Sequence, residues 1–350
     1  MLKTLARRTG ILQRLRATWH TEMERASAPL RKELIRLASM VDQLSATQQT
    51  LATRFAKVER DAQQVKHAFR LNDAQRDLLA EADGRLQRDV VIQHVRKAIQ
   101  AATLEVSPFP HIVVEKLLPD GVYKLALDGI PPGIFFGERD PIKQNLRIPM
   151  EFGPTLAARV WDFIDTTIAR DAIRPAVLEK FHDLLQQHYE AIFGPGFRER
   201  AHALPQAISG GRLMLRRAGY HLDPHRDPKR TMLTCLMYFA RTKDSETYGT
   251  QIFAVHGDRE ADYTQTFYPA QAGLRCELVK MVPYRPNSAL MFLNSGGAHG
   301  ADIPADASRK LERYAYQFYI GPDLEALNEL IADLPAERRA RWLKKGDRGE

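Results

Sequence analysis

The chain has 350 residues, a formal net charge of +8, 44% hydrophobic and 27% charged residues, and two cysteines. This is the composition of a folded globular protein, and its length suggests two domains. It excludes a disulfide-stapled scaffold, a low-complexity chain and a bilayer-spanning helix, since no uncharged apolar run approaches the ~18 residues such a span needs. Cys235 and Cys276 sit in strand-like segments, so buried thiols in a reducing, cytoplasmic compartment are expected.

The excess charge is uneven. Residues 1–105 hold 19 Lys and Arg against 12 Asp and Glu, a net of +7. Lys3, Arg7, Arg8, Arg14 and Arg16 precede the first acid, which fits a solvated basic helix face and leaves open a transit peptide, a peripheral membrane contact or a phosphate-binding arm. Nothing at this end resembles a secretory signal.

Leu2, Leu5, Ile11, Leu12, Leu15, Trp19 and Met23 predict a first amphipathic helix over 1–27, with a new helix starting at Ser27–Pro29. From Leu30 the apolar spacing alternates fours and threes through Leu34, Leu37, Val41, Leu44, Gln48, Leu51, Phe55, Val58, Ala62, Val65 and Phe69. Only Gln48 in that series is polar, and a seam sustained at this period is that of a coiled coil. So narrow a stripe needs a partner: a second copy of the chain, or the next helix folded back as a hairpin. Asn72 is the expected N-cap of that next helix, running to about Ala102 with Gly84 as its soft point.

At Leu104–Pro108 helical spacing gives way to a strand over His111–Glu115, a turn at Pro119–Gly121 and a short helix. His111 reads as a strand-edge residue. Residues 133–153, with Phe135, Phe136, Arg139 and Arg147, form a loop-rich stretch, followed by helices over 154–170 and 174–193. His182 and His188 on the second of these read as surface or packed residues.

Beyond Leu204 the pattern is β. Strands are expected near 212–218, 220–227, 231–239, 249–255, 263–268, 274–282, 288–294 and 312–320. Eight short strands with Gly, Pro and Asp turns fit a double-stranded β-helix, a jelly-roll relative. Near its start stand two His-x-Asp pairs, His221/Asp223 and His225/Asp227; a third, His256/Asp258, falls in a polar turn. Residues i and i+2 of a strand share a face, so either of the first two pairs can grip one cation. Two imidazoles and one carboxylate leave three open positions on an octahedral Fe(II). Arg216 and Arg217, just upstream, suit either contact with an anionic substrate or, equally, ordinary surface positions near a strand end. The tail predicts a helix from Asp323, then a charged run containing Trp342, the one tail residue suited to docking.

Four fragments occur in order: YHLDPHRD, YGTQIF, PNSALMFLNSGGAHG and RYAYQFY. As a set over about 107–320 they resemble the Fe(II)/2-oxoglutarate-dependent dioxygenases of the prolyl-4-hydroxylase-like group. The resemblance implies His225, Asp227 and His299 as iron ligands, with His299 presented by a Gly-rich turn. It implies Arg313 as partner of the distal carboxylate of 2-oxoglutarate, with Tyr238 hydrogen-bonding the same group. The second His-x-Asp pair is preferred because Tyr220, Leu222 and Pro224 precede it as in the family; His221/Asp223 stays open. The implied reaction is hydroxylation of an unactivated C–H with release of succinate and CO2, using Fe(II), 2-oxoglutarate and O2.

The expected architecture is therefore α+β: a helical coiled-coil domain over 1–105, a double-stranded β-helix oxygenase domain over 106–322, and a C-terminal helix and charged tail over 323–350. The attached coiled coil favours a large substrate, protein or glycan, and leaves open a homo-oligomer or an intramolecular hairpin. Two other classes compete. One is a coiled-coil tethering protein whose β-domain only binds. The other, a nucleic-acid binder, is disfavoured because the basic residues form no stripe with interleaved aromatics.

Overall fold

The computed structural model describes residues 2–137, 140–148, 150, 153–197, 203–257 and 263–343, with side chains from Arg16 onward. Lys3, Arg7, Arg8 and Arg14, together with Arg139, Asp258 and the end of the charged tail, lie outside the described side chains. The chain divides into two compact units, Met1–Lys66 and His67–Glu350.

The first unit is a single helix. α1 runs over Leu2–Ala68, 67 residues, or roughly 100 Å at ~1.5 Å per residue. The break expected at Ser27–Pro29 does not occur: Pro29 lies inside the helix. Proline removes one backbone hydrogen bond, and the strong helix formers Ala26, Ala28 and Leu30 around it carry the helix past that local cost. The seam of α1 is open to solvent, with Leu30, Leu34, Val41, Leu44, Phe55 and Val58 all at least 60% exposed. No helix among the described residues is long and apolar enough to cross a membrane.

In the second unit Asn72 caps α2 (Asp73–Arg85) through a capping box with Gln75, as its side chain predicts. The helix expected to continue to Ala102 stops at Arg85, and α3 (Arg88–Ala101) follows as a separate element. The break lets both helices turn apolar residues inward. Ala82 and Leu86, then Val91, Val95 and Ile99, join the same buried cluster as the β-sheet.

Among the described residues, eleven strands form two antiparallel sheets. The larger orders β1 (Leu104–Glu105), β2 (His111–Glu115), β9 (Pro286–Leu293), β6 (Leu233–Phe239), β11 (Arg313–Pro322), β4 (Gln206–Arg216) and β3 (Lys143–Arg147). The smaller orders β5 (His221–His225), β10 (Ala298–Asp302), β7 (Thr250–His256) and β8 (Arg275–Val282). From β4 onward the chain winds between the sheets, so that β5 and β10, distant in sequence, become neighbours. This is a double-stranded β-helix.

Three strand predictions need correction. Residues 263–268 form no strand, only a single bridge between Phe267 and Arg226. The Gly-rich turn expected to present His299 instead leads into β10, and His299 is a paired strand residue. The stretch read as loop over 133–153 contains β3, which pairs with β4. The errors have one root: at 263–268 aromatic and β-branched residues suggest a strand where no partner edge is completed, while at β3 and β10 polar or small residues become strand because a partner edge is there.

Alternation places two cores on opposite faces of the larger sheet. Met214, Leu236, Tyr238, Leu290, Phe292 and Ala315 face the smaller sheet and meet Ile252 and Val282 there. On the outer face Leu213, Met237, Tyr316 and Phe318 pack against helices α4 (Asp120–Asp128), α5 (Thr155–Phe163) and α6 (Arg174–Lys180), with Trp161 fully buried among them. Between α5 and α6 the chain adopts a π-helix over Ile164–Ile173, whose buried Asp165 accepts from the Tyr316 hydroxyl at 2.5 Å and from Arg170 Nε at 3.0 Å. α7 (His182–Phe193) follows, then, after the sheet, α8 (Leu324–Ile331), capped by Asp323, and α9 (Ala336–Ala340). Trp342 docks as its side chain invites: it is 1% exposed, with its ring 5.0 Å from Phe193 and 4.7 Å from Tyr263 between centroids.

Candidate metal centre

The β5–β10 register sets His225 directly opposite His299. Their ring centroids are 4.1 Å apart. Asp227, two residues beyond His225, closes the group: its Oδ1 lies 3.8 Å from His225 Nε2 and its Oδ2 3.6 Å from His299 Nε2. One ligand atom from each residue falls within 4.8 Å of the others, and all three side chains are buried. That is the spacing of donors around a single first-row cation, and the donor set, two nitrogens and one oxygen, suits Fe(II).

The surrounding contacts prepare these atoms. His225 Nδ1 lies 2.9 Å from the carbonyl oxygen of Asp223. A carbonyl only accepts, so the ring proton sits on Nδ1 and the Nε2 lone pair faces the cluster. Burial, reinforced by neighbouring His225, pushes the His299 imidazole down to about 3, which keeps it neutral and able to donate a lone pair. Its ring is held against Phe292, 4.7 Å away between centroids. Asp227 Oδ2 accepts from the Thr234 hydroxyl at 2.8 Å, and Asn294 Nδ2 donates to that hydroxyl oxygen at 3.0 Å. Tyr319 donates to Oδ1 at 3.4 Å.

Arg226, between His225 and Asp227, clamps the segment that carries His299. Its Nε donates to Gly297 O at 3.1 Å and its Nη2 to Gly296 O at 2.5 Å. Gly297 is required by close approach: a Cβ there would lie 1.8 Å from Phe109 Cδ1. The turn is thereby held where it feeds His299 into β10.

The other pair is engaged elsewhere. His221 is exposed, and its two nitrogens contact Asp223 and Asp302, each at 2.9 Å. With both ring nitrogens occupied by carboxylates, whose hydrogen bonds raise its pKa, His221 has no lone pair to offer. His256 lies against Glu277 at 3.1 Å on the surface. His111 is fully buried within the sheet between β1 and β9, not at an edge, with Nδ1 2.8 Å from Phe109 O.

The cluster opens into a cavity of about 150 Å3 between the two sheets, lined among others by Arg313, Thr250, Leu236, Gln317 and Tyr268. Arg313 is only 4% exposed. Its Nε donates to Tyr248 O at 2.6 Å, and its guanidinium carbon lies 5.0 Å from the Tyr284 ring and 5.4 Å from the Tyr238 ring. The terminal nitrogens have no acceptor among the described residues, so a fork of four N–H groups faces the cavity. Tyr238 sits one layer behind this surface, its hydroxyl donating to Thr250 Oγ1 at 2.6 Å, and Thr250 lines the wall in front of it. Thr234, Asn294, Tyr319 and Arg226 carried no sequence signal, because their partners lie up to 92 residues away.

No protein-family model matches the chain, and no curated protein matches it in sequence. Among solved structures it is similar to a prolyl hydroxylase from Trichoplax adhaerens, bound to a hypoxia inducible factor peptide fragment, at 11% identity and a TM-score of 0.37, covering 72% of this chain and 93% of that one. A prolyl-4-hydroxylase from Pseudomonas putida gives 14% identity and a TM-score of 0.35, covering 65% and 98%. HygX from Streptomyces hygroscopicus, with nickel and 2-oxoglutarate bound, gives 15% and 0.35, covering 61% and 83%. At such identities and scores the likeness carries no residue roles. The roles rest on the geometry of this chain.

Proposed function

We propose that this protein is an Fe(II)- and 2-oxoglutarate-dependent dioxygenase that hydroxylates an unactivated C–H. The observation that carries this reading is the convergence of His225, Asp227 and His299, within 4.8 Å of one another, on the cavity that also holds the acceptor-less fork of Arg313. These residues fit the group. The two Nε2 atoms and the Asp227 carboxylate would hold Fe(II), and a dianionic co-substrate would satisfy Arg313, whose planar fork matches a carboxylate.

When bound, the iron supplies the oxidative chemistry and 2-oxoglutarate supplies two electrons. The chain supplies order. Asp223 O fixes the tautomer of His225, Thr234 and Tyr319 orient Asp227, and Tyr238, its pKa raised by burial, stays a protonated donor holding Thr250 in place. Leu236 and Met214 form the apolar wall that limits water around the reacting atoms. Fe(II) and 2-oxoglutarate should yield succinate at a rate that falls to background when a chelator strips the metal and returns when Fe(II) is restored. Succinate release indifferent to the chelator, or absent with a broad panel of acceptors, would favour the tethering reading.

The helix α1 bears on the partner. Its alternating four–three seam is exposed, and the apolar faces of α2 and α3, the hairpin partners the sequence left open, are committed to the core of the second unit. A second copy of the chain is then the partner of the seam, in a homodimeric coiled coil presenting a large substrate, protein or glycan, to the site. Sedimentation should give twice the chain mass, and the double change Leu44→Glu with Phe55→Glu should give monomers. A wild-type monomer at micromolar concentration would remove the dimer.

A further inference from the structure

We infer that the substrate itself carries an oxyanion, a carboxylate or phosphate, which Arg212 binds beside the metal centre; the inference deepens the oxygenase reading and rests on it. Lys143, Arg212, Arg216 and Arg313 all line the cavity, against one lining carboxylate, Asp227. Counted over these five side chains, that is a net charge of +3 (four cations less one anion). A divalent iron and a dianionic 2-oxoglutarate cancel one another, so the loaded cavity keeps this charge. Walls of low dielectric focus such a field onto the next ligand to enter.

The strand register explains the clustering. Arg313 pairs with Arg216 and Gln317 with Arg212 across β11 and β4, while Lys143 pairs with Arg216 from the β3 side. Inward-facing positions of three adjacent strands thus stack their cations along one wall.

The three cations beyond Arg313 differ in what they have left to give. Arg216 is 3% exposed and largely consumed: Nη1 donates to Gln144 O at 2.7 Å and to Leu215 O at 3.1 Å, and Nη2 to Asn145 Oδ1 at 2.9 Å. Its guanidinium also covers the Tyr220 ring at 4.9 Å. It contributes field. Arg212 donates to Gln317 Oε1 from Nε at 3.1 Å and from Nη2 at 2.5 Å, and from Nη2 to the Tyr319 hydroxyl at 3.1 Å. Those partners are neutral, and Nη1 has no acceptor among the described residues. Tyr319 in turn reaches Asp227, so Arg212 lies two hydrogen bonds, and an anion on its Nη1 three, from a ligand of the metal. Lys143, exposed at the cavity mouth and with no acidic partner among the described residues, is placed to guide that anion inward.

The test is calorimetric titration of inorganic phosphate, and separately of acetate, into full-length protein loaded stoichiometrically with Ni(II) and 2-oxoglutarate. Saturable binding of at least one anion is expected. It should weaken about tenfold or more in Arg212→Gln, the loss of a charge-assisted contact, and by less in Arg212→Lys and Lys143→Gln. A preference for phosphate would indicate a phosphorylated substrate, and one for acetate a carboxylated one; either supports the inference. It is overturned if neither anion saturates the loaded wild type, if Arg212→Gln binds equally well, or if that variant loses affinity for 2-oxoglutarate as steeply as for the added anion, which would make Arg212 part of the co-substrate site. Loading is measured first and decides the oxygenase reading on its own. The same titration on metal-free Arg313→Met, in which the open fork that would otherwise compete for the anion is removed, with and without Arg212→Gln, decides the anion site even where loading fails. Thermal melts of both Arg212 variants check that they are folded.

Discussion

Replacing Asp227 by alanine should lower metal affinity and succinate formation together, by well over 100-fold, beyond the 10- to 100-fold that loss of an outer-shell partner costs. Among the described residues Asp227 is the only carboxylate lining the cavity, and it lies between the two imidazoles at 3.6 and 3.8 Å. His225→Ala and His299→Ala should behave alike, because three donors acting on one ion are not additive. The metal-free protein should suffer much less. Thr234, which loses its acceptor on Asp227, still has Asn294 as a hydrogen-bond partner. Equilibrium dialysis against Ni(II), alongside a thermal melt, separates the two effects. Metal uptake by Asp227→Ala equal to that of the wild type would sink the centre.

The second large effect is at Arg313, and it should have opposite signs in two measurements. Arg313→Met should raise the KM for 2-oxoglutarate by about 100-fold or more, since a bidentate guanidinium–carboxylate pair comprises two charge-assisted bonds of about 1.5–3 kcal/mol each. In the absence of ligand the same change should leave stability nearly unaltered or increase it. It removes a buried cation that has no carboxylate partner, and methionine keeps most of its volume. The expected loss is confined to the one hydrogen bond to Tyr248 O and the contacts with the Tyr238 and Tyr284 rings. Kinetics over a range of 2-oxoglutarate concentrations and a melt of the apo-protein report the two quantities. An unchanged KM would transfer the co-substrate role to another lining cation, Arg212 first.

Much of the architecture is local enough to be read from residues alone. The α1 seam is visible because its period is written in every heptad from Leu30 to Phe69. The Asn72 cap is visible because the box is only four residues long. Strands β4, β6, β7, β8, β9 and β11 announce themselves by apolar, β-branched and aromatic side chains. The failures are equally physical. β3 (Lys143–Arg147) and β10 (Ala298–Asp302) have polar or small residues, and only a neighbouring edge makes them strands. The continuity of α1 through Pro29 depends on flanking propensity outweighing one lost bond.

The candidate site divides along the same line. By itself the sequence determined the chemistry on offer: histidine and aspartate at strand spacing, a distant histidine after a glycine-rich turn, and an arginine opening the last strand. It left two His-x-Asp pairs in competition, because i, i+2 geometry is the same for both. Only the tertiary structure decided which pair meets His299, through the β5–β10 register that seats His225 opposite it and the two carboxylates that occupy His221. The cationic wall of Lys143, Arg212 and Arg216 was likewise beyond reading, for its members span 73 positions of sequence and meet only because β3, β4 and β11 are adjacent. Local pattern fixes which face a side chain takes on its own strand; which other faces it meets depends on pairings that no short stretch encodes.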